Sequence, residues 1–98
     1  MKTTTNVSLF IVEDDELFRE TFIDAMALRG VRVDGARSGA EAIKALQHQR
    51  PSAIIIDVQL PDIHGFDLCH VLKKSEQLKD VPIIFLSAST KYNDPRDQ

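Results

Sequence analysis

A run of three isoleucines that ends on an acid, "AIIID" at residues 53–57, restricts the fold of this chain more than any other feature. It is short and carries no polar alternation, so it reads as a central strand covered on both faces, the pattern of a parallel sheet. Yet it runs straight into Asp57, and a carboxylate set against an apolar interior bears a desolvation cost. Something at the carboxyl end of that strand has to offset it.

The rest of the chain supplies the partners for such a sheet. "VSLFIV" at 7–12 is a second apolar run of strand length. "DDELFRETFIDAMALRG" follows, with Phe18, Phe22, Ala25 and Met26 at helical spacing on one stripe. Asp14 or Asp15 can cap that helix, and Gly30 can terminate it in the left-handed conformation. "VRVDGA" at 31–36 alternates and predicts a half-buried strand. "SGAEAIKALQHQ" opens with Ser38 and Glu41 at capping-box spacing and offers Ala42, Ile43 and Leu46 as its apolar face. Pro51 stops that helix. After the central strand, Pro61 and Gly65 mark a loop, and "FDLCHVLKKSEQ" gives a third helix with Leu68, Val71 and Leu72 inward. "VPIIFLS" at 81–87 is a fourth strand. The order βαβαβαβ with short connections predicts a single α/β domain over 1–98, a doubly wound parallel sheet whose ligands lie beyond the carboxyl ends of its strands.

Those ends are acidic. The first strand ends in Glu13, Asp14 and Asp15, the third in Asp57, and the fourth in Ser87. If strands one, three and four are neighbours, these groups converge in one cleft, where carboxylates repel by about 4 kcal/mol for a pair 4 Å apart at an effective dielectric near 20. They are relieved by protons or by a cation. Oxygen donors without histidine or cysteine suit a hard ion such as Mg²⁺. A carboxylate in that setting can also attack phosphorus, with the Ser87 hydroxyl placed to donate to a phosphoryl oxygen.

Four blocks, "FIVEDDELFRE", "ARSGAEAIKAL", "PSAIIIDVQLPDIHGFDLC" and "VPIIFLSA", carry a resemblance to the response-regulator receiver domains of two-component signalling, in order and spacing, over residues 7–90. The resemblance implies a flavodoxin-like sheet of order 2-1-3-4. It assigns Asp57 as the phosphoacceptor, Asp14 as the direct Mg²⁺ ligand and Glu13 as its acidic neighbour. Gln59 would offer its backbone carbonyl to the metal, and Ser87 would contact the phosphoryl group. The donor would be a sensor histidine kinase or phosphotransfer protein, and the domain would accept a phosphoryl group without being a conventional turnover enzyme.

The family pattern runs further than this sequence, into a fifth strand and fifth helix that the chain lacks, so the resemblance reads it as incomplete at its C-terminus. Asp94 and Pro95 resemble the start of a helix. The lysine and the switch aromatic expected near the fifth strand have no counterpart, since Lys91 and Tyr92 fall in the wrong segment. An uncovered fourth-strand edge predicts self-association. A receiver that docks partners without switching is the alternative function. A Mg²⁺-dependent phosphohydrolase is disfavoured because Gln59 stands where that class wants a second acid. Elsewhere the bland readings hold: Asp15 as a cap, Asp62 and His64 as solvated loop, His48 and His70 facing water, Lys73 and Lys74 on a solvated face, and Cys69 as core filler.

Composition narrows the rest. A net charge of −3 argues against nucleic-acid binding, and one cysteine excludes an internal disulfide. No apolar run reaches membrane-spanning length, and the N-terminal stretch is too short for a secretory signal, which points to the cytoplasm.

Overall fold

The computed structural model describes residues 7–87. Their order is β1 (Ser8–Val12), α1 (Glu16–Ala27), β2 (Arg32–Ala36), α2 (Gly39–Ala45), β3 (Ala53–Asp57), α3 (Gly65–Lys73) and β4 (Ile83–Leu86). The four strands form one sheet of order β2-β1-β3-β4, and every pairing is parallel. The predicted doubly wound α/β sheet of order 2-1-3-4 is therefore the observed fold. The expectations for Lys91, Tyr92 and the helix start at Asp94 lie outside the described residues.

Alternation along the strands divides the interior into two layers. Phe10, Val12, Ile54 and Ile56 point into the larger layer with Ala42 and Leu46 of α2 and Leu68 and Leu72 of α3. Ile11, Val33 and Ile55 point the other way, against Phe18, Phe22, Ile23 and Met26 of α1. The isoleucine run is thus buried on both faces, as its composition requires. Fully burying one such side chain contributes roughly 1.5–3 kcal/mol, so β3, like β1 beside it with Phe10, Ile11 and Val12, is firmly anchored.

Helix ends follow the local sequence with some differences. Asp15 caps α1 by accepting from the Phe18 N–H at 3.0 Å, and Gly30 takes φ 79° just past its end. Ser38 caps α2 by accepting from the Glu41 N–H. The reciprocal half of the box goes elsewhere: Glu41 accepts from the Arg37 N–H and pairs with the Arg37 guanidinium at 3.3 Å. These contacts, the backbone bond first, hold the Glu41 carboxyl below its usual range. On α1, Ile23 rather than Ala25 completes the inner stripe, because Ala25 is exposed. On α3, Val71 is 41% exposed and lines a shallow apolar groove against Ile43 of α2 instead of entering the core. Lys73 is not simply a solvated cation: its Nζ donates to the carbonyls of Lys79 and Val81, tying the end of α3 to the segment that leads into β4.

Candidate functional site

Strand register brings the acids together. Ile11 pairs with Ile55 and Val12 with Ile56, so the next step along both strands sets Glu13 beside Asp57. Positions 11, 13, 55 and 57 share the odd parity of the pleat, which points both acids to the same face. Carboxylate oxygens of Glu13, Asp14 and Asp57 lie within 4.8 Å of one another. Glu13 is 0% and Asp57 1% exposed, while Asp14 is exposed. Two ionised carboxylates at that separation repel by about 3.5 kcal/mol at an effective dielectric near 20.

The surrounding backbone holds this cluster in place. The Glu13 N–H donates to the Ala36 carbonyl at 2.9 Å, tying the end of β1 to the end of β2. The Glu13 carboxylate accepts from the Asp15 N–H at 2.9 Å. The Asp57 Oδ1 accepts from the Gln59 N–H at 3.1 Å. Gln59 sits on the exposed loop after β3, where it bridges to His64. Its amide contact with Asp57 is a role that spacing alone did not reveal. Leu86 pairs with Asp57, so Ser87 follows directly at the same edge of the sheet, exposed to solvent.

The loop from β3 to α3 is built to tolerate no drift. The Gly65 N–H donates to the Val58 carbonyl at 2.7 Å, and a Cβ on Gly65 would lie 2.6 Å from the Asp57 carbonyl oxygen. Leu60 and Ile63 pack onto the larger core layer. Asp62 is more than a solvated acid: its two carboxylate oxygens accept from the Gly39 and Ala40 N–H groups, each at 2.9 Å. Those bonds hold its carboxyl below the ordinary range. His64 caps α3, with Nδ1 accepting from the Phe66 N–H at 3.1 Å. Asp62 gave no sign of its task, because its partners are backbone amides on a distant element, whereas the cap by His64 is local and was missed because histidine is an unusual N-cap residue.

The donor set fits a hard cation. It consists of oxygen atoms only, two of the carboxylates are buried, and they converge on one edge of the sheet.

With the fold and the acid cluster in place, comparison with known proteins assigns the family. The sequence matches the response regulator receiver domain over residues 9–97, and the chain belongs to that family. It is a receiver domain of two-component signalling, and such domains are signalling modules that serve as phosphoacceptors. The transcriptional regulatory protein AfsQ1 of Streptomyces coelicolor is 41% identical over 81 residues, which are 83% of this chain and 35% of AfsQ1. The polar-differentiation response regulator DivK of Brucella ovis is 36% identical, covering 83% of this chain and 66% of DivK. The chain therefore spans between about a third and just under two thirds of these relatives. Among solved structures, the chemotaxis response regulator CheY4 of Vibrio cholerae superposes with a TM-score of 0.82 at 28% identity, covering 96% of this chain and 76% of that one. The non-phosphorylated HemR receiver domain of Leptospira biflexa gives 0.77 at 34% identity, covering 85% of this chain and 65% of that one. No helix among the described residues is long and apolar enough to cross a membrane.

Proposed function

We propose that this chain accepts a phosphoryl group on Asp57 from a phosphohistidine of a sensor kinase or phosphotransfer protein, in the cytoplasm. The observation that carries the reading is a buried Asp57 carboxylate at the end of the central strand, with Glu13 and Asp14 oxygens within 4.8 Å. An Asp57 oxygen attacks phosphorus, the P–N bond of the donor breaks, and its electron pair stays on the imidazole nitrogen. An acyl phosphate remains on Asp57. The Gln59 amide fixes the plane of the Asp57 carboxylate by holding one of its oxygens. The Ser87 hydroxyl donates to a phosphoryl oxygen, and the Gln59 backbone carbonyl, Glu13 and Asp14 would join Asp57 in holding Mg²⁺. When bound, that ion supplies charge neutralisation to the phosphoryl oxygens.

The test is direct. Incubation with Mg²⁺ and a small phosphodonor should add one phosphoryl mass to the intact chain, and Asp57→Asn should abolish it. A folded chain that never takes the adduct would overturn the reading. That outcome would favour the second reading, a receiver that docks another protein without switching. One observation supports docking: among the described residues β4 pairs only with β3 and carries Ile84 at 53% exposure.

A further inference from the structure

Arg19 occupies an unfavourable place. It lies in the first turns of α1, where the helix dipole disfavours a cation. Its neighbours in sequence on that end are acids: Glu13, Asp14, Asp15, Glu16 and Glu20. Attraction to them accounts for a positive charge in the region but not for where this one goes. Its Nη1 donates to the backbone carbonyl of Glu13 at 2.7 Å, in a half-buried bond. The stem reaches there across β2. A Cβ on Gly35 would lie 3.1 Å from Arg19 Cδ and 3.3 Å from Arg19 Cγ, so the missing side chain of Gly35 is the space that the stem fills.

The consequence falls on one peptide unit. The Glu13 carbonyl belongs to the plane joining Glu13 to Asp14. The preceding plane is already pinned by the Glu13 N–H on the Ala36 carbonyl. With Arg19 on the carbonyl, the peptide units on both sides of Glu13 are fixed, and with the Asp15 N–H held by the Glu13 carboxylate the next one is too, so the directions in which the Glu13 and Asp14 side chains leave the backbone are set. We propose that Arg19 is a positioning residue that presets Glu13 and Asp14 for a divalent cation, at the electrostatic cost of a positive charge beside the cation's own site. This rests on the reading of the acid cluster as a Mg²⁺ site.

Position and charge act on cation affinity with opposite signs, which makes the idea testable. Arg19→Lys keeps the charge and loses the reach and fork of the guanidinium. Arg19→Met loses both. Mg²⁺ is titrated into the full ¹⁵N-labelled chain, read at the amides of Asp14, Asp57 and Gln59. Arg19→Lys should bind about tenfold more weakly than wild type, the low end for loss of a supporting contact. Arg19→Met should fall between the two, because removing the charge favours the incoming ion. Gly35→Ala, which crowds the stem without altering charge, should weaken binding by less.

Amide hydrogen exchange without Mg²⁺ gives a second readout. Exchange at Asp14 and Asp15 should quicken in both Arg19 variants while Ile55 and Ile56 in β3 stay protected, which also confirms folding. Tighter Mg²⁺ binding by Arg19→Met with unchanged exchange would overturn the proposal and leave Arg19 as a charge only. Unchanged affinity and exchange in all three variants would also overturn it. If wild type does not respond to Mg²⁺, the metal reading fails, and quickened exchange at Asp14 and Asp15 still upholds Arg19 as the residue that sets this peptide.

Discussion

A single hydrogen atom in place of a side chain protects the position of Asp57, the proposed acceptor. Gly65 starts α3 with its Cα so near β3 that an added methyl would meet the Asp57 carbonyl oxygen at 2.6 Å and the Val58 Cα at 2.8 Å. Both obstacles are backbone, so neither can rotate away. Gly65→Ala should therefore cost roughly 1–3 kcal/mol, the usual penalty of overpacking, read as a lower denaturant midpoint. On the proposed reading it should also slow adduct formation at Asp57, since relief of the clash moves that residue. The sequence marks Gly65 as loop punctuation, and its role in holding Asp57 follows only from the close approach of two backbones. Asp57 was more legible, because an acid that ends an unbroken apolar strand needs a compensating partner at that same end. Arg19 left a fainter trace, a basic residue in the opening turns of a helix whose other early charges are acidic.

Helix α2 shows how one short element depends on another. Its seven residues, Gly39–Ala45, are too few for intrinsic stability, and its ends are finished from outside. At the start, Ser38 takes the Glu41 N–H and Asp62 takes those of Gly39 and Ala40. At the finish, the Gln77 side-chain amide donates to the carbonyls of Leu46, Gln47 and Gln49. Asp62→Ala should lower the melting temperature by a few degrees at neutral pH. Its pH dependence follows from the sign of the shift. The folded carboxyl titrates below its ordinary value of 3.8, so its contribution is full above that value and fades as pH falls through the lower folded one. The melting difference between wild type and Asp62→Ala should vanish in strong acid, as scanning calorimetry across that range would show. Ser38 and Glu41 were readable as a start signal because the pattern is local. The Asp62 contact crosses from residue 62 to residues 39 and 40 and becomes visible only in the folded chain.

At the scale of the molecule, the described residues cover one face of the sheet well and leave the other more open. None of the α1 residues is fully buried, Leu17 is 78% exposed, and β4 leaves Ile84 half in water. Among the described residues β4 is paired on one side only, and an apolar strand in that position is a template for another strand. We expect the chain to self-associate at high micromolar concentration in sedimentation experiments, and Ile84→Lys to shift it toward monomer. A wild-type monomer with a cooperative melt would refute this. The global order of elements was readable because short apolar runs and helical stripes differ in length and period. The partition of the interior into two unequal layers was not, because it depends on which helices fall on which side.

The pairing of β1 with β3 has a last consequence, for how function arrives during folding. Glu13 and Asp57 belong to segments far apart along the chain, and they meet only in the register that sets Ile11 beside Ile55. Sliding one strand past the other by a single position would turn one acid toward the opposite layer and scatter the cluster. A divalent ion would then find nothing to grip. On the proposed reading of the cluster as a cation site, binding would stabilise only molecules whose strands are paired in this register.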